Sequence, residues 1–122
     1  MFKKNIYINM TTYYKNVSEP WFSLLKLKIK NVEGRLNKGE FSNMNIGDII
    51  EFSNEELGFK RKCKLKIKDI HYYANFYEYL NQEKLKNCLP GIQNIKQGVS
   101  VYHKFYSKND ENKYGIIALI FE

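Results

Sequence analysis

The alternation of apolar and polar residues along the chain predicts a small fold that mixes strands and helices. Every second side chain of a strand lies on the same face, and this spacing occurs in "VEGRL", "GDIIEF" and "KCKLKIKDIHYY", and weakly in "NIYINM" near the start. The continuous apolar run "YGIIALIFE" predicts a central strand that is buried on both faces. Between these segments, "NKGEFSNMN" and "KNDENK" are expected to be polar loops, and "SNEELGFKR" a hairpin-like connection.

Helical spacing first appears in "SEPWFSLLKLKIK". Ser18 is the expected N-cap of this helix, and Pro20 is tolerated in a first helical turn. The residues expected on its buried face are Trp21, Leu24, Leu25 and Ile29. The pattern therefore predicts a helix that packs onto the strands through this face.

Two further helices are predicted from their capping residues. Asn75 begins "FYEYLNQEKLKN", and the Pro-Gly pair that follows this segment ends the helix. Asn94 repeats the capping pattern before "VSVYHKFYS". The apolar face of this last segment is formed by Val99, Tyr102, Phe105 and Tyr106.

These elements together predict an α+β fold of about five strands and about three helices. The chain has 122 residues and contains no linker, repeat or low-complexity segment, so we expect one domain that spans residues 1–122. The hydrophobic content of 43% excludes a disordered chain. We expect this domain to be a monomer.

The formal net charge of +7 fits either simple solubility or an acidic partner such as nucleic acid. Lys64, Lys66 and Lys68 alternate with apolar residues and give one predicted strand a cationic outer face. Lys64 and Lys66 are therefore candidates for contacts with phosphates. The alternative is that these lysines only protect an edge strand from aggregation.

Neither a metal, a cofactor nor a membrane is expected from the sequence. Cys63 and Cys88 form no Cys-x-x-Cys motif, and together with His71 and His103 they match no zinc-site spacing, which favours free thiols in a reducing compartment. The start "MFKKNIYINM" lacks the apolar core of a signal peptide, and no apolar run approaches the roughly 20 residues of a membrane span. We expect a soluble intracellular protein of the cytoplasm or nucleus. The many Lys, Asn, Ile and Tyr residues suggest an AT-rich coding genome, such as that of a virus.

The strongest candidate for a site is a charge cluster of Lys30, Glu33 and Arg35 within six residues. Arg35 offers a planar fork of donors for phosphate or for the acceptor edge of a base, and Lys30 can hold a phosphate or, if desolvated, act as a base. Glu33 can accept from an exocyclic amine or a ribose hydroxyl. The alternative is a structural ion pair on a solvated sheet face. Aromatic residues that could stack on a base are Trp21, Tyr72 and Tyr73.

The order of several motifs resembles the ASCH family, a member of the PUA-like superfamily. The motifs are "EPWF", "IKNVEGRLN", "IGDIIEF", "YLNQEKLKNCLPGI", "VYHKFYS" and "YGIIALIF". The resemblance implies a curled β-barrel of about five to six strands with about three packed helices. It also implies a cleft in which Lys30, Glu33 and Arg35 face a ligand, which in this family is RNA or a modified nucleoside. The family's usual Gly before the Lys is Lys28 here, and its usual Thr after it is Asn31.

An enzymatic alternative follows from the same resemblance. One bacterial branch of the family hydrolyses the acetyl amide of acetylcytidine with a Lys, a Thr and a Glu. Carried over, Lys30 would be the base and Glu83 would transfer a proton to the leaving amine, while Glu33 stands where that branch has its Thr. Both hypotheses predict that Lys30→Ala and Arg35→Ala lose function while folding is retained.

Overall fold

The computed structural model describes residues 10–122, in which five strands form one curled sheet. The strands are β1 (Thr12–Asn16), β2 (Val32–Leu36), β3 (Ile49–Asn54), β4 (Arg61–Tyr73) and β5 (Ile116–Phe121). Their order across the sheet is β1-β3-β4-β5-β2, with β1 and β3 parallel and the other pairs antiparallel. The strand predicted at residues 5–10 lies outside the described residues except for Met10, which is not in a strand.

Five helices accompany the sheet in this part of the chain, and three of them have seven or more residues. They are α1 (Trp21–Lys26), α2 (Phe76–Glu83), α3 (Leu85–Cys88), α4 (Ile95–His103) and α5 (Lys108–Tyr114), with a 3-10 turn at Gly39–Asn43. This architecture confirms the predicted α+β, PUA-like class, in which a curled sheet packs against helices.

The long strand β4 gives the sheet its curl. Its first half pairs with β3 and its second half with β5, and a bulge between Ile67 and Asp69 separates the two halves. The sheet therefore bends into a half-barrel whose two edge strands, β1 and β2, do not pair with each other. The predicted alternative of an edge position for the Lys64 strand is wrong, because β4 lies in the interior of the sheet.

Strand β5 separates two hydrophobic cores, as its uninterrupted apolar sequence predicts. Ile117 and Leu119 enter the core that α1 covers, together with Phe22 and Leu25. Ile116 and Ala118 enter the core beneath α2 and α4. Alternate residues of one strand are buried on opposite faces, which requires the apolar run that the sequence shows.

The first helix is shorter than predicted and buries a different face. It ends at Lys26, and its buried residues are Phe22 and Leu25 rather than the full predicted stripe. Lys28 follows in a left-handed conformation (φ 61°), which ends the helix and turns the chain. The Ile29 amide then donates to the Leu24 carbonyl. Ser18 does not cap this helix through its side chain.

The C-terminal half contains one helix that the sequence patterns missed. "KNDENK" is not a loop but most of α5, because the Ser107 side chain accepts from the Asp110 amide and caps a helix without an apolar stripe. The predicted caps Asn75 and Asn94 are confirmed, since each side chain accepts from the amide three residues later. Phe105, predicted on an apolar packing face, is 69% exposed.

Candidate functional site

A pocket of about 620 Å³ lies where the half-barrel is open, between the edge strands β1 and β2, which do not pair with each other. The ends of β1 and β3 supply Asn16, Ser53 and Asn54, and β2 supplies residues 33–35. Val101 and Tyr102 of α4 complete the wall beside β2. A volume of this size is typical of a site for a small molecule or a single nucleotide.

The Lys30 ammonium lies beneath this pocket and is fully engaged by the protein. Its Nζ donates to the Val32 carbonyl at 2.6 Å and to the Cys88 carbonyl at 2.5 Å, and it lies 3.0 Å from Oε1 of Glu33. The side chain is only 1% exposed. Because an ammonium has three protons and each has an acceptor here, Lys30 has no donor left for a ligand.

Glu33 connects Lys30 to Arg35. One carboxylate oxygen faces the Lys30 ammonium, and the other accepts from Nε of Arg35 at 2.8 Å. Burial alone would raise the pKa of Glu33, but the charges of Lys30 and Arg35 outweigh this effect and lower it. Glu33 is therefore an ionised carboxylate in a site that is largely closed to water.

Arg35 is the member of this group that can reach a ligand. Burial would lower its pKa, but the Glu33 carboxylate raises it, so the guanidinium stays charged. Glu33 engages the Nε–H, and among residues 10–122 the near neighbour of the rest of the guanidinium is the Tyr106 hydroxyl, so the Nη groups can still donate into the pocket. The guanidinium stacks over Phe41, with 5.0 Å between its carbon and the ring centroid, and this contact fixes the plane of the fork.

Aromatic side chains form much of the remaining wall. Tyr102 and Tyr106 both stack on Phe76, with centroid distances of 4.4 and 5.6 Å, so helix α2 holds them in place. Phe105 lies between them in sequence and exposes most of its ring at the pocket mouth. Trp21 lines the opposite side, with its ring centroid 6.0 Å from the Lys30 ammonium.

A family model for the ASCH domain matches residues 16–122 of this chain. The chain belongs to the ASCH family. ASCH domains are PUA-like domains of an RNA-binding type. No match was found among the curated proteins.

Two solved structures resemble this ASCH protein closely. A crystal structure of the hypothetical protein PH0355 is 35% identical, with a TM-score of 0.82, and the match covers 91% of this chain and 97% of that one. A solution structure of protein PF0455 from Pyrococcus furiosus is 37% identical, with a TM-score of 0.74, and the match covers 91% and 96% of the two chains. The family resemblance inferred from the ordered motifs is thereby confirmed.

The structure brings together only part of the predicted site. Lys30, Glu33, Arg35 and Trp21 all line the pocket. Lys64 and Lys66 do not, because they project from the exposed outer face of β4. Tyr72 and Tyr73, the other predicted stacking residues, are likewise absent from the pocket wall.

Glu83, the predicted second acid, also lies outside the pocket wall of this ASCH domain. Its carboxylate lies 2.5 Å from Nδ1 of His71 and accepts a hydrogen bond from the Tyr73 hydroxyl. Burial, together with the nearby Glu83 charge, raises the pKa of Tyr73 strongly. His71 in turn lies 3.0 Å from Asp69, so Glu83 belongs to a second polar group on β4.

The rim opposite β2 contains a polar network that the sequence analysis missed. The buried Asn54 amide donates to the Val17 carbonyl at 3.0 Å, and its oxygen accepts from Arg61 at 2.8 Å. Glu56 and its neighbour Glu55 line the pocket from this rim. The sequence feature that corresponds to this network is the polar run "SNEE", but its pattern alone predicts only a connection between strands.

Within residues 10–122, no group of three or more His, Cys, Asp or Glu side chains is placed to hold a metal ion. Cys63 and Cys88 are free thiols. None of the helices in the described part of the chain is long and apolar enough to cross a membrane.

Proposed function

We propose that this ASCH protein binds single-stranded RNA, or a modified nucleoside, by holding one base in the pocket between β1 and β2. The observation that carries the proposal is the pairing of aromatic walls with the Nη donors of Arg35 in one pocket. Bases stack on aromatic rings, and guanidinium groups donate to their acceptor edges. The RNA-binding type of the family supports the same conclusion.

The charges of the pocket favour an uncharged base over a phosphate. Lys30 and Arg35 share the single carboxylate of Glu33, so these three side chains together have a net charge of only +1. Glu55 and Glu56 on the far rim add negative charge. A phosphate in the pocket would face three carboxylates, whereas a base would not be repelled.

The phosphates of a bound strand would lie on the outer face of the sheet. Neighbouring strands place Asn16, Ser53 and Lys62 in one row, and the first two of these residues also line the pocket. Lys64 and Lys66 continue from Lys62 along β4, and both are exposed. This row leads from the pocket onto a cationic surface that suits a nucleic-acid backbone.

Salt dependence of binding tests this interface. If about three to five phosphates are contacted, the slope of log affinity against log salt is expected to be roughly −2 to −3.5 for a short single-stranded RNA. The double variant Lys64→Ala, Lys66→Ala is expected to flatten that slope by about 1.4, while Lys96→Ala on α4 leaves it unchanged. A flat response of the wild-type protein contradicts the proposal.

A pair of phenylalanine variants tests the pocket itself. Phe105→Ala removes an exposed ring from the pocket mouth and is expected to weaken RNA binding about tenfold. Phe59→Ala is the matched control, because Phe59 is exposed to a similar degree but does not line the pocket. Equal effects of the two substitutions contradict base binding in the pocket.

Hydrolysis of an acylated cytidine takes second place to binding. Three acceptors of the protein enclose the Lys30 side-chain nitrogen, and Glu83 lies outside the pocket wall. Glu33 stands where the hydrolytic branch has its Thr. Incubation of the protein with acetylcytidine checks this alternative directly, with deacetylation measured by the change in absorbance. We expect no turnover, and turnover that Glu33→Gln abolishes would reverse the order of the two functions.

A further inference from the structure

The edge strand β2 presents one unpaired peptide group to the pocket. The Phe121 amide donates to the Asn31 carbonyl and the Asn37 amide to the Gly115 carbonyl, each at 3.0 Å. In an antiparallel pair, alternate residues direct both backbone groups to the partner strand. Residues 33 and 35, the Asn31 carbonyl and the Asn37 amide therefore face β5, while the Asn31 amide donates to the Asn87 carbonyl. Val32, Gly34 and Leu36 point away from β5, towards the free edge.

Two of these three outward residues already have partners. The Val32 carbonyl accepts from Lys30 at 2.6 Å, and the Leu36 carbonyl accepts from the Lys38 amide at 2.9 Å. Gly34 lies between them and is buried, and within residues 10–122 its N–H and C=O have no partner at this edge. Buried backbone groups are nearly always hydrogen-bonded, so a donor and an acceptor are left here for a ligand.

Tyr79 explains why this residue is glycine. A Cβ at Gly34 would lie 2.3 Å from Cζ of Tyr79 and 2.7 Å from its hydroxyl oxygen. Tyr79 is fully buried, and its hydroxyl lies 3.1 Å from that of Tyr102. The tyrosine therefore packs directly on the glycine backbone, which fixes the position of the peptide group in the pocket wall.

We propose that the Gly34 peptide group recognises the hydrogen-bonding edge of a nucleobase, its N–H donating to a base acceptor and its C=O accepting from an adjacent base N–H. This inference rests on the proposed binding of a base in the pocket and names the groups that read it. The Nη donors of the neighbouring Arg35 then reach a further acceptor of the same base. A bare phosphate cannot satisfy this arrangement, because it offers no donor to the Gly34 carbonyl.

Isotope labelling isolates the Gly34 amide without any substitution. The chain has seven glycines, each preceded by a different residue type, and only Gly34 follows a glutamate. Protein made by cell-free synthesis, in which glutamate is not converted to glutamine, with 15N-glycine and 13C-carbonyl glutamate therefore gives one doubly labelled amide signal, that of Gly34, and six other glycine signals serve as internal controls. We expect the Gly34 proton to move downfield on saturation with a single-stranded RNA or a binding nucleoside, by more than any other glycine.

Methylated nucleosides test the same contact from the ligand side. 3-Methyluridine carries its methyl group on the hydrogen-bonding edge and 5-methyluridine carries it elsewhere, and N4,N4-dimethylcytidine and 5-methylcytidine form the corresponding pair. If uridine or cytidine binds, the edge-methylated form is expected to bind about 10-fold to 100-fold more weakly, and the control form within about threefold of the parent. For a purine, N6,N6-dimethyladenosine or 1-methylguanosine is compared with the 8-methyl form.

The two proposals fail in different ways. If RNA or a nucleoside binds but the Gly34 amide does not move and edge methylation has no effect, the role of Gly34 is overturned while the pocket remains a binding site. If none of the RNA and nucleoside probes binds, both proposals are overturned.

Discussion

Two groups of side chains in this protein each join carboxylates to basic groups, but they differ in how they respond to pH. The pocket cluster (Lys30, Glu33 and Arg35) lies largely in the interior, and the single carboxylate of Glu33 joins its two basic side chains. In the β4 cluster (Asp69, His71, Tyr73 and Glu83) the cation is a histidine whose side chain is 43% exposed. The first therefore changes towards acid pH, through Glu33, and the second changes as pH rises through the raised pKa of His71. Burial and the choice of cation decide which of the two behaviours a charge cluster has.

The largest effect is expected from Lys30→Met, which keeps the volume of the side chain but removes its charge. Two buried carbonyls lose their donor and Glu33 loses one of its two cations, so we expect the free energy of unfolding to fall by about 3–5 kcal/mol. Urea denaturation measures this change. Lys96→Met, on the exposed side of α4, is the control and should stay within about 0.5 kcal/mol of wild type. This expectation replaces the earlier one, from sequence alone, that folding survives the loss of Lys30.

Arg35→Gln should separate ligand binding from stability within the same cluster. Glu33 keeps its contact with Lys30, so the loss of stability should be smaller, about 1–2 kcal/mol. RNA affinity should fall by about tenfold or more, because the Nη donors are lost. Calorimetric titration beside urea denaturation checks both quantities. A variant that binds RNA normally would show that Arg35 only holds Glu33.

The two clusters should respond to pH in opposite directions. Hydrogen bonding to Glu83, against some burial, raises the pKa of His71 above 6.5, so its stabilisation is complete below pH 6.5 and is lost as pH rises through the folded-state pKa. The lowered pKa of Glu33 gives stabilisation that is present above pH 4.5 and is lost as pH falls through its folded-state value.

Urea denaturation of wild type and His71→Gln across pH 5–9 measures the contribution of His71. Because the imidazole is more than a third exposed, solvent screening should limit the difference to less than about 1 kcal/mol. The difference should be largest at the acid end of the range and should shrink above neutral pH. A difference that grows with pH would contradict the assignment.

The smallest expected effect is at the turn that leads to the pocket cluster. Lys28 has a φ of 61°, which glycine adopts without strain, so Lys28→Gly should stabilise the fold by about 0.5 kcal/mol after the greater entropy of the unfolded chain is counted. Lys26→Gly, at the last residue of α1, is the control and should destabilise by up to about 1 kcal/mol. Thermal unfolding distinguishes the two signs.

Sequence patterns predicted four of the five described strands, β2 to β5, because their signals are local, whereas β1 (Thr12–Asn16) was not predicted. The alternation in "VEGRL" and the apolar run of β5 each correspond to a strand at the predicted place. Helix α5 was missed because its stability comes from the Ser107 cap and not from an apolar stripe. Helix α1 was predicted too long because nothing in the sequence marks Lys28 as a left-handed residue where glycine is usual.

The candidate site was only half predictable for a related reason. Lys30, Glu33 and Arg35 are close in sequence, so their proximity was visible. The Cys88 carbonyl, 58 residues from Lys30, was not, and this contact helps to make the lysine a structural cation. The unpaired edge of Gly34 depends on which strand lies beside β2, a property of topology that no local pattern contains.

Because the Lys30 side chain is buried, its chemical labelling can report how often the fold opens around it. Amine-reactive reagents need an accessible, deprotonated amine, and Lys64 and Lys66 should react with them quickly because they are exposed. Lys30, with its ammonium enclosed by three acceptors, should react only when β2 and α3 separate. The rate at which Lys30 is labelled, measured by mass spectrometry, would therefore report how often this part of the fold opens. The labelling rates of Lys64 and Lys66 provide the reference for a fully exposed lysine.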